Sequence, residues 1–257
     1  MISDSTAIEP SLSLLEWDSK QFGFPVGRID GAQVCEATLR QLLVESRNMS
    51  LRLVYWFDAN ADSAYLAADV LRDFAGNLIT QKATFERRAL RPPNGLKRGT
   101  CGTILVEEYE QGPPSTELLE LGVAAGAESR FRLDPLFPRE AFEHLYSTWV
   151  LRSTFHEIAD VVLVAREQDR TIVGFVTLAK QAEEIGAIGL IAVAASVRGR
   201  GVGSLLIEAA HEWMAREGIS RAQVVTQLGN SAACRLYERN GYSLTRVENV
   251  YHFWPQL

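Results

Sequence analysis

The stretch Ser196–Ala210, SVRGRGVGSLLIEAA, puts three glycines and two arginines into the six residues 198–203 and then starts an apolar-periodic run. The strand-like segment GLIAV, Gly189–Val193, precedes it, and VGSLLIEAAHEWMARE, Val202–Glu217, has helical spacing, so the loop joins a strand to a helix N-terminus. The first backbone N–H groups of a helix lack intrahelical acceptors and sit at the positive end of its dipole, while glycine admits a ligand close to the backbone. Such a loop cradles phosphate, and it equally makes a tight turn. From spacing alone both readings stay open. Two better-defined phosphate loops do not apply, because G-x-G-x-x-G would need glycine where Ser204 stands and G-x-x-x-x-G-K-[ST] is absent, which disfavours a nicotinamide or a nucleoside triphosphate.

What the loop serves is bounded by composition. With 257 residues, 47% of them hydrophobic, the chain can bury one large core or two modest ones. A formal charge of −6 argues against general nucleic-acid binding, which leaves a basic footprint; an anionic ligand must be met by local arginines. Cys35, Cys101 and Cys234 are odd in number, far apart and without C-x-x-C, so neither a disulfide framework, a metal site nor an oxidising compartment is indicated. No basic segment followed by a long apolar run opens the sequence, and the expectation is a cytoplasmic protein without a membrane span.

Strand-like and helix-like stretches alternate along the chain. SLSLLEWDSKQFGFPVGRID, ATLRQLLVESR and LRLVYWF read as a β-α-β opening. DSAYLAADVLRDFAG follows as a helix, with Asp62 or Ser63 as N-cap candidate and Gly76 beyond its end, and LITQKATFERRAL as a strand. RPPNGLKRGTCG is rich in Pro, Gly and charge and has little to bury, so the domains are divided there, into 1–99 and 100–257. The second part holds the strand TILVEEYE, the helices STELLELGVAAGA and PREAFEHLYSTWVLRSTF, and three strands, ADVVLVAREQ, TIVGFVTLAKQ and GAIGLIAVAAS. A hairpin links the first two of these through Asp169-Arg170, and Gly174 marks a candidate bulge.

R-x-x-G-x-G after GLIAV resembles the acetyl-CoA pyrophosphate loop of the GNAT acetyltransferase superfamily, and TQLGNSAACRLYERNGY resembles its last helix. ESRFRLDPLFPREAFEHLYSTWVLRS, IGLIAVAASVRGRGVG, VVTQLGNSAACRLYERNGYSL, VYHFW and the opening LEWDSKQFGFPVGRI are similar to the amino-sugar acetyltransferases within it, across most of the chain. The resemblance implies a GNAT-like α/β fold, a mixed sheet with helices on both faces, preceded by a smaller β-α-β-α-β module that is a candidate degenerate half GNAT domain. It also implies transfer of acetyl from acetyl-CoA to the amine of a nucleotide-linked 4-amino-4,6-dideoxy sugar, without a metal; a homodimer is compatible with it.

Aminolysis of a thioester needs a polarised carbonyl, an unprotonated amine in reach and a proton for the departing thiolate. Backbone N–H groups along Leu190–Val193, in particular Ile191, Ala192 and Val193, are the expected donors to the carbonyl, and Arg198, Gly199, Arg200, Gly201, Val202, Gly203 and Ser204 the expected pyrophosphate cradle. Asn230 is a good N-cap for SAACRLYER, and Tyr237 lies two turns along the same face. Asn230 is therefore expected beside acetyl-CoA and Tyr237 as the acid. A tyrosine near pKa 10 facing a thiol near 8.5 gives up its proton uphill by roughly 1.5 units, about 2 kcal/mol, unless the thiolate is desolvated. No base for the amine stands out: Glu183 and Glu184 read as solvated, His144, His156 and His211 as surface residues, and His252 as core or substrate wall. Arg130 and Asp134, in a loop that also carries Arg132 and Arg139, are the expected contacts to the sugar nucleotide, Arg130 to its phosphates. Phe22, Phe24 and Trp56 are expected to fill core. The competing readings are acetylation of a peptide or other small amine, and an acyl-CoA-binding sensor without activity, which would not need Asn230 and Tyr237.

Overall fold

The computed structural model of the chain describes residues 9–31, 34–59, 66, 68–88 and 100–257. In chain order the elements are β1 (Ser11–Leu14), α1 (Glu16–Phe22), β2 (Val26–Asp30), α2 (Glu36–Asn48), β3 (Leu53–Asp58), α3 (Ala68–Asp73), β4 (Asn77–Arg88), β5 (Thr100–Cys101), β6 (Ile104–Glu108), α4 (Thr116–Ala125), α5 (Arg130–Leu133), α6 (Arg139–Thr154), β7 (Val161–Arg166), β8 (Ile172–Ala182), β9 (Ile185–Val193), α7 (Val202–Arg216), β10 (Arg221–Gln227), α8 (Ser231–Arg239) and β11 (Ser243–Phe253). The fold is mixed α/β, as expected. The N-cap candidates Asp62 and Ser63 and most of the Pro/Gly-rich segment at the domain division lie outside the described residues.

Contacts group the chain into two compact units. The first joins residues 1–82 to 133–137 and 247–257. Its strands run in the order β1-β2-β3-β11-β4, with β2 parallel to β3 and β11 antiparallel to β3 through Asn249–Phe253. On one face Val54, Trp56, Tyr251 and Phe253 pack with Leu39, Leu42 and Leu43 of α2 and with Val70 and Phe74. The opposite face carries Tyr55 against His252, and Phe24 against Trp254 and Phe137. Phe22, Phe24 and Trp56 are thus core residues. The opening stretch differs from its strand-like look: it contains the short helix α1, which stops at Gly23, a residue in the left-handed region at φ 74° where side-chain-bearing residues are disfavoured.

The second unit comprises residues 83–132 and 138–246. Its strands follow the order β11-β4-β10-β9-β8-β7-β6-β5, so β4 and β11 give residues to both units. Alternate residues of β7 divide between two cores. Val161, Leu163 and Ala165 face a cluster built with Leu205, Leu206, Ala210, Met214 and Tyr237 of α7 and α8, whereas Val162 and Val164 face Leu118, Leu121 and Val150 of α4 and α6. A strand covered on both faces reads as an unbroken apolar run, which is why VVLVA shows no alternation. The β7–β8 hairpin shifts register between Ala165 and Arg166, beside Gly174.

Candidate active site

Strand β9 decides the geometry. It pairs in parallel with β10 only from Ile185 to Ile188, while its antiparallel pairing with β8 continues to Val193. Between Ile188 and Ile191 the β8 register slips, so that Gly189 and Leu190 stand opposite Thr177 alone. The Leu190 N–H donates to Thr177 Oγ1 at 2.8 Å, and a Cβ on Gly189 would come within 2.7 Å of that oxygen; glycine is needed for the approach. Beyond the bulge, Ala194 N–H donates to Val173 of β8. Alternation along a strand then turns the Ala192 amide towards β8 and those of Ile191 and Val193 to the other side, where β10 no longer pairs. Of the amides expected as donors, those of Ile191 and Val193 face this side, whereas that of Leu190 is bonded to Thr177 and that of Ala192 is turned to β8.

After Val193 the chain passes through one 3-10 turn, Ala195–Val197, into the glycine loop. Gly199 (φ 77°) and Gly201 (φ 84°) are both left-handed, and Gly201 is the N-cap of α7. The first turn of α7 contains no acidic side chain, whereas α1, α2, α4 and α6 each begin with at least one. The amides that open α7 therefore keep their pull on an external anion. Arg198 is exposed and its Nε donates to the Val193 carbonyl; Arg200 reaches Glu167 at 3.4 Å. A Cβ on Gly203 would meet Leu236 of α8 at 3.3 Å, and Asn240 Nδ2 donates to Ser204 Oγ at 3.1 Å, so the first turn of α7 lies directly against α8.

Helix α8 is capped by the Asn230 side chain, which accepts from the Ala233 N–H at 3.1 Å. Two turns on, Tyr237 is 2% exposed, between Phe85 and Tyr242 at centroid distances of 5.8 Å each. Ile191 and Val193 pack on the same cluster. The glycine loop, the unpaired β9 edge and the α8 tyrosine are thus gathered in one unit. Burial, reinforced by charge on Cys234, pushes the Tyr237 hydroxyl above the usual tyrosine value, so the phenol stays protonated at neutral pH.

The remaining expected residues fall elsewhere. Arg130 opens the short helix α5 rather than lying in a loop, half-buried with its guanidinium 4.4 Å from the centre of the Phe131 ring. Asp134 is buried and its oxygens are occupied: Oδ1 accepts from the Leu136 N–H at 2.9 Å, and Oδ2 meets His252 Nδ1 at 2.6 Å and the Trp254 indole N–H at 3.1 Å. It anchors the first unit. His144 and His156 are exposed, as expected, but His211 is half-buried with both ring nitrogens engaged, by Arg87 and Tyr242. Partners so distant in sequence carry no local signal. Among the described residues no group of three or more His, Cys, Asp or Glu is placed to hold a metal ion, and no helix is long and apolar enough to cross a membrane.

Residues 127–242 match the acetyltransferase (GNAT) family, and these residues, which hold the loop, the β9 edge and α8, form a GNAT acetyltransferase domain. The chain is similar to the dTDP-fucosamine acetyltransferase of Escherichia coli O6:H1, 32% identical over 124 residues, which cover 48% of this chain and 52% of that protein. It is also similar to the spore coat polysaccharide biosynthesis protein SpsD of Bacillus subtilis, 30% identical over 151 residues, 57% of this chain and 51% of that one. It spans about half the length of these curated relatives. A solved GCN5-related N-acetyltransferase from Sphaerobacter thermophilus shares the fold, with a TM-score of 0.59 at 17% identity, over 94% of this chain and 75% of that one.

Proposed function

We propose that the chain is an acetyl-CoA-dependent N-acetyltransferase whose acceptor is the amine of a nucleotide-linked amino-deoxysugar of the dTDP-4-amino-4,6-dideoxyhexose type. The observation that carries the transferase reading is the convergence of an amide-lined strand edge, an acid-free glycine loop at a helix start and a buried tyrosine in one unit. The choice of acceptor is supported by the two relatives above, a dTDP-fucosamine acetyltransferase and a polysaccharide biosynthesis protein.

When bound, acetyl-CoA supplies the thioester to be cleaved. In this reading the amides of residues 199–204, with Arg198 and Arg200, hold the pyrophosphate, and the Asn230 side chain lies beside the same ligand at the start of α8. The amides of Ile191 and Val193 polarise the thioester carbonyl as dipoles already fixed by the strand. The Tyr237 hydroxyl hands its proton to the departing sulfur as the C–S bond breaks. Its raised pKa makes early, complete transfer unfavourable, so hydrogen bonding passes into proton transfer only as charge builds on sulfur. Arg130 binds the phosphates of the sugar nucleotide. A sugar amine is less basic than lysine and reaches its neutral form without a dedicated base, and the proton it sheds on becoming an amide passes through solvent to restore the Tyr237 phenol.

Thiol release from acetyl-CoA, followed against a panel of nucleotide amino-sugars and peptide N-termini, tests the acceptor. Turnover of a dTDP-linked 4-amino sugar is the expected result; turnover of peptide amines alone would overturn it.

A further inference from the structure

The transfer chemistry leaves the half-buried His211, with both ring nitrogens engaged, without a task. His211 stands two turns along α7 from Ser204, on the face that meets the turn between α8 and β11. Its Nδ1 lies 3.0 Å from Arg87 Nη1, and the same Nη1 donates to the Asn240 carbonyl at 2.7 Å. A guanidinium is always charged and can only donate. Nδ1 must therefore accept, which puts the ring proton on Nε2, and Nε2 faces the Tyr242 hydroxyl at 2.9 Å. The tautomer is set by the arginine, so the His211–Tyr242 bond has one direction: Nε2–H donates and Oη accepts. Burial first, and the Arg87 charge second, hold the imidazole neutral, with its pKa lowered to about 3.

The far end of this chain is Tyr237. The Tyr242 ring, 3% exposed, packs 5.8 Å from the Tyr237 ring, and the Tyr242 N–H donates to the Tyr237 carbonyl at 3.0 Å. Phe85, two residues before Arg87 on β4 and on the same face of that strand, backs Tyr237 from its other side. Gly241 is left-handed at φ 82° and leaves the Arg87 guanidinium 3.5 Å from where a Cβ would stand. β4, α7 and the end of α8 are thus tied at one point, next to the phenol on which proton transfer depends.

We propose that His211 is a positioning residue for acyl transfer: as the Nε2–H tautomer set by Arg87 it fixes Tyr242, and Tyr242 fixes the direction of the Tyr237 hydroxyl. The proposal rests on Tyr237 acting as the acid. Misplacement of a catalytic group by about 1 Å can cost on the order of 10²-fold in rate, whereas the amides proposed to bind acetyl-CoA lie at the start of α7, about two turns from His211.

The test compares kcat, acceptor KM and acetyl-CoA affinity for His211→Ala, His211→Gln and Tyr237→Phe. His211→Ala lowers kcat by about tenfold or more and leaves affinity and KM in place. His211→Gln brings kcat back, because its amide oxygen accepts from Arg87 while its NH2 donates to Tyr242. Should His211→Ala fail to fold, Tyr242→Phe, which keeps the ring and deletes the acceptor, carries the same comparison. In a Tyr237→Phe background the loss from His211→Ala disappears. Full kcat in His211→Ala, or losses that multiply in the double variant, overturn the proposal while a crippled Tyr237→Phe keeps the acid in place; full kcat in Tyr237→Phe overturns both.

Discussion

In the proposed chemistry Tyr237 gives its proton to sulfur, and its surroundings make that proton hard to lose before charge builds there. Its ring is enclosed, and burial raises the hydroxyl's pKa. A raised value keeps the acid form present to higher pH than for a free tyrosine, so the alkaline limb of kcat is predicted to show no loss from this group up to about pH 10, the usual tyrosine value. A pH–rate profile with acceptor saturating checks it; a decline of kcat that persists in the wild type and vanishes in Tyr237→Phe would contradict it. The same substitution keeps the packing against Phe85 and removes one oxygen. It is predicted to lower kcat by roughly 10²- to 10⁴-fold, the scale of general-acid work, with acetyl-CoA affinity unchanged by calorimetry. A packing tyrosine would lose stability instead. Spacing alone placed Tyr237 and Asn230 on one face of a helix. It carried no information on Arg87 and His211, which are 124 residues apart, or on what encloses the phenol, because both depend on which strands become neighbours.

At the scale of elements the glycine loop was the most legible part, since it is local: a strand, a turn needing positive φ and a helix are all written within about twenty residues. Less legible was the end of β9–β10 pairing. Gly189 looks like one more small residue in an apolar strand, and only its approach to Thr177 Oγ1 explains it. Helix α1 was hidden for a similar reason, as seven residues between Gly- and Pro-marked breaks are too few for a helical period. The loop carries its own prediction. Gly201 sits at φ 84°, where a β-branched residue is strongly disfavoured and its side chain crowds the amides of α7. Gly201→Val is predicted to weaken acetyl-CoA binding by more than about tenfold, or 1.4 kcal/mol, with the fold retained by circular dichroism. Unchanged affinity in a folded variant would remove the loop from phosphate binding.

On the scale of the whole molecule, composition and alternation pointed to an α/β protein with more than one core. They could not show that the first unit is discontinuous in sequence. Asp134 and His252, 118 residues apart, meet inside it. Burial alone pushes the Asp134 carboxyl up, but the His252 contact, the Leu136 amide and the Trp254 indole outweigh it and leave the pKa below the ordinary value. A depressed pKa means stability that is complete above the unfolded value, about 3.9, and is lost as pH falls through the folded one. Asp134→Ala, which strands two buried partners, is predicted to cost about 3–5 kcal/mol in urea unfolding at neutral pH, and to flatten the acid limb of stability. An unchanged midpoint would mean that the unit does not depend on this anchor.

In the first unit β11 lies between β3 and β4. Two strands made early are therefore separated by one made more than 150 residues later. Synthesis runs at about 5–20 residues per second, so for many seconds the growing chain holds a half-sheet with a gap down its middle, exposing the apolar face of Val54 and Trp56. The second unit, residues 83–132 and 138–246, also takes its last residues from the start of β11. Strands β1–β3 are thus made long before the strand that completes their sheet, and the interval before residues 247–257 arrive is when this stretch of nascent chain is most exposed to aggregation and most in need of a chaperone.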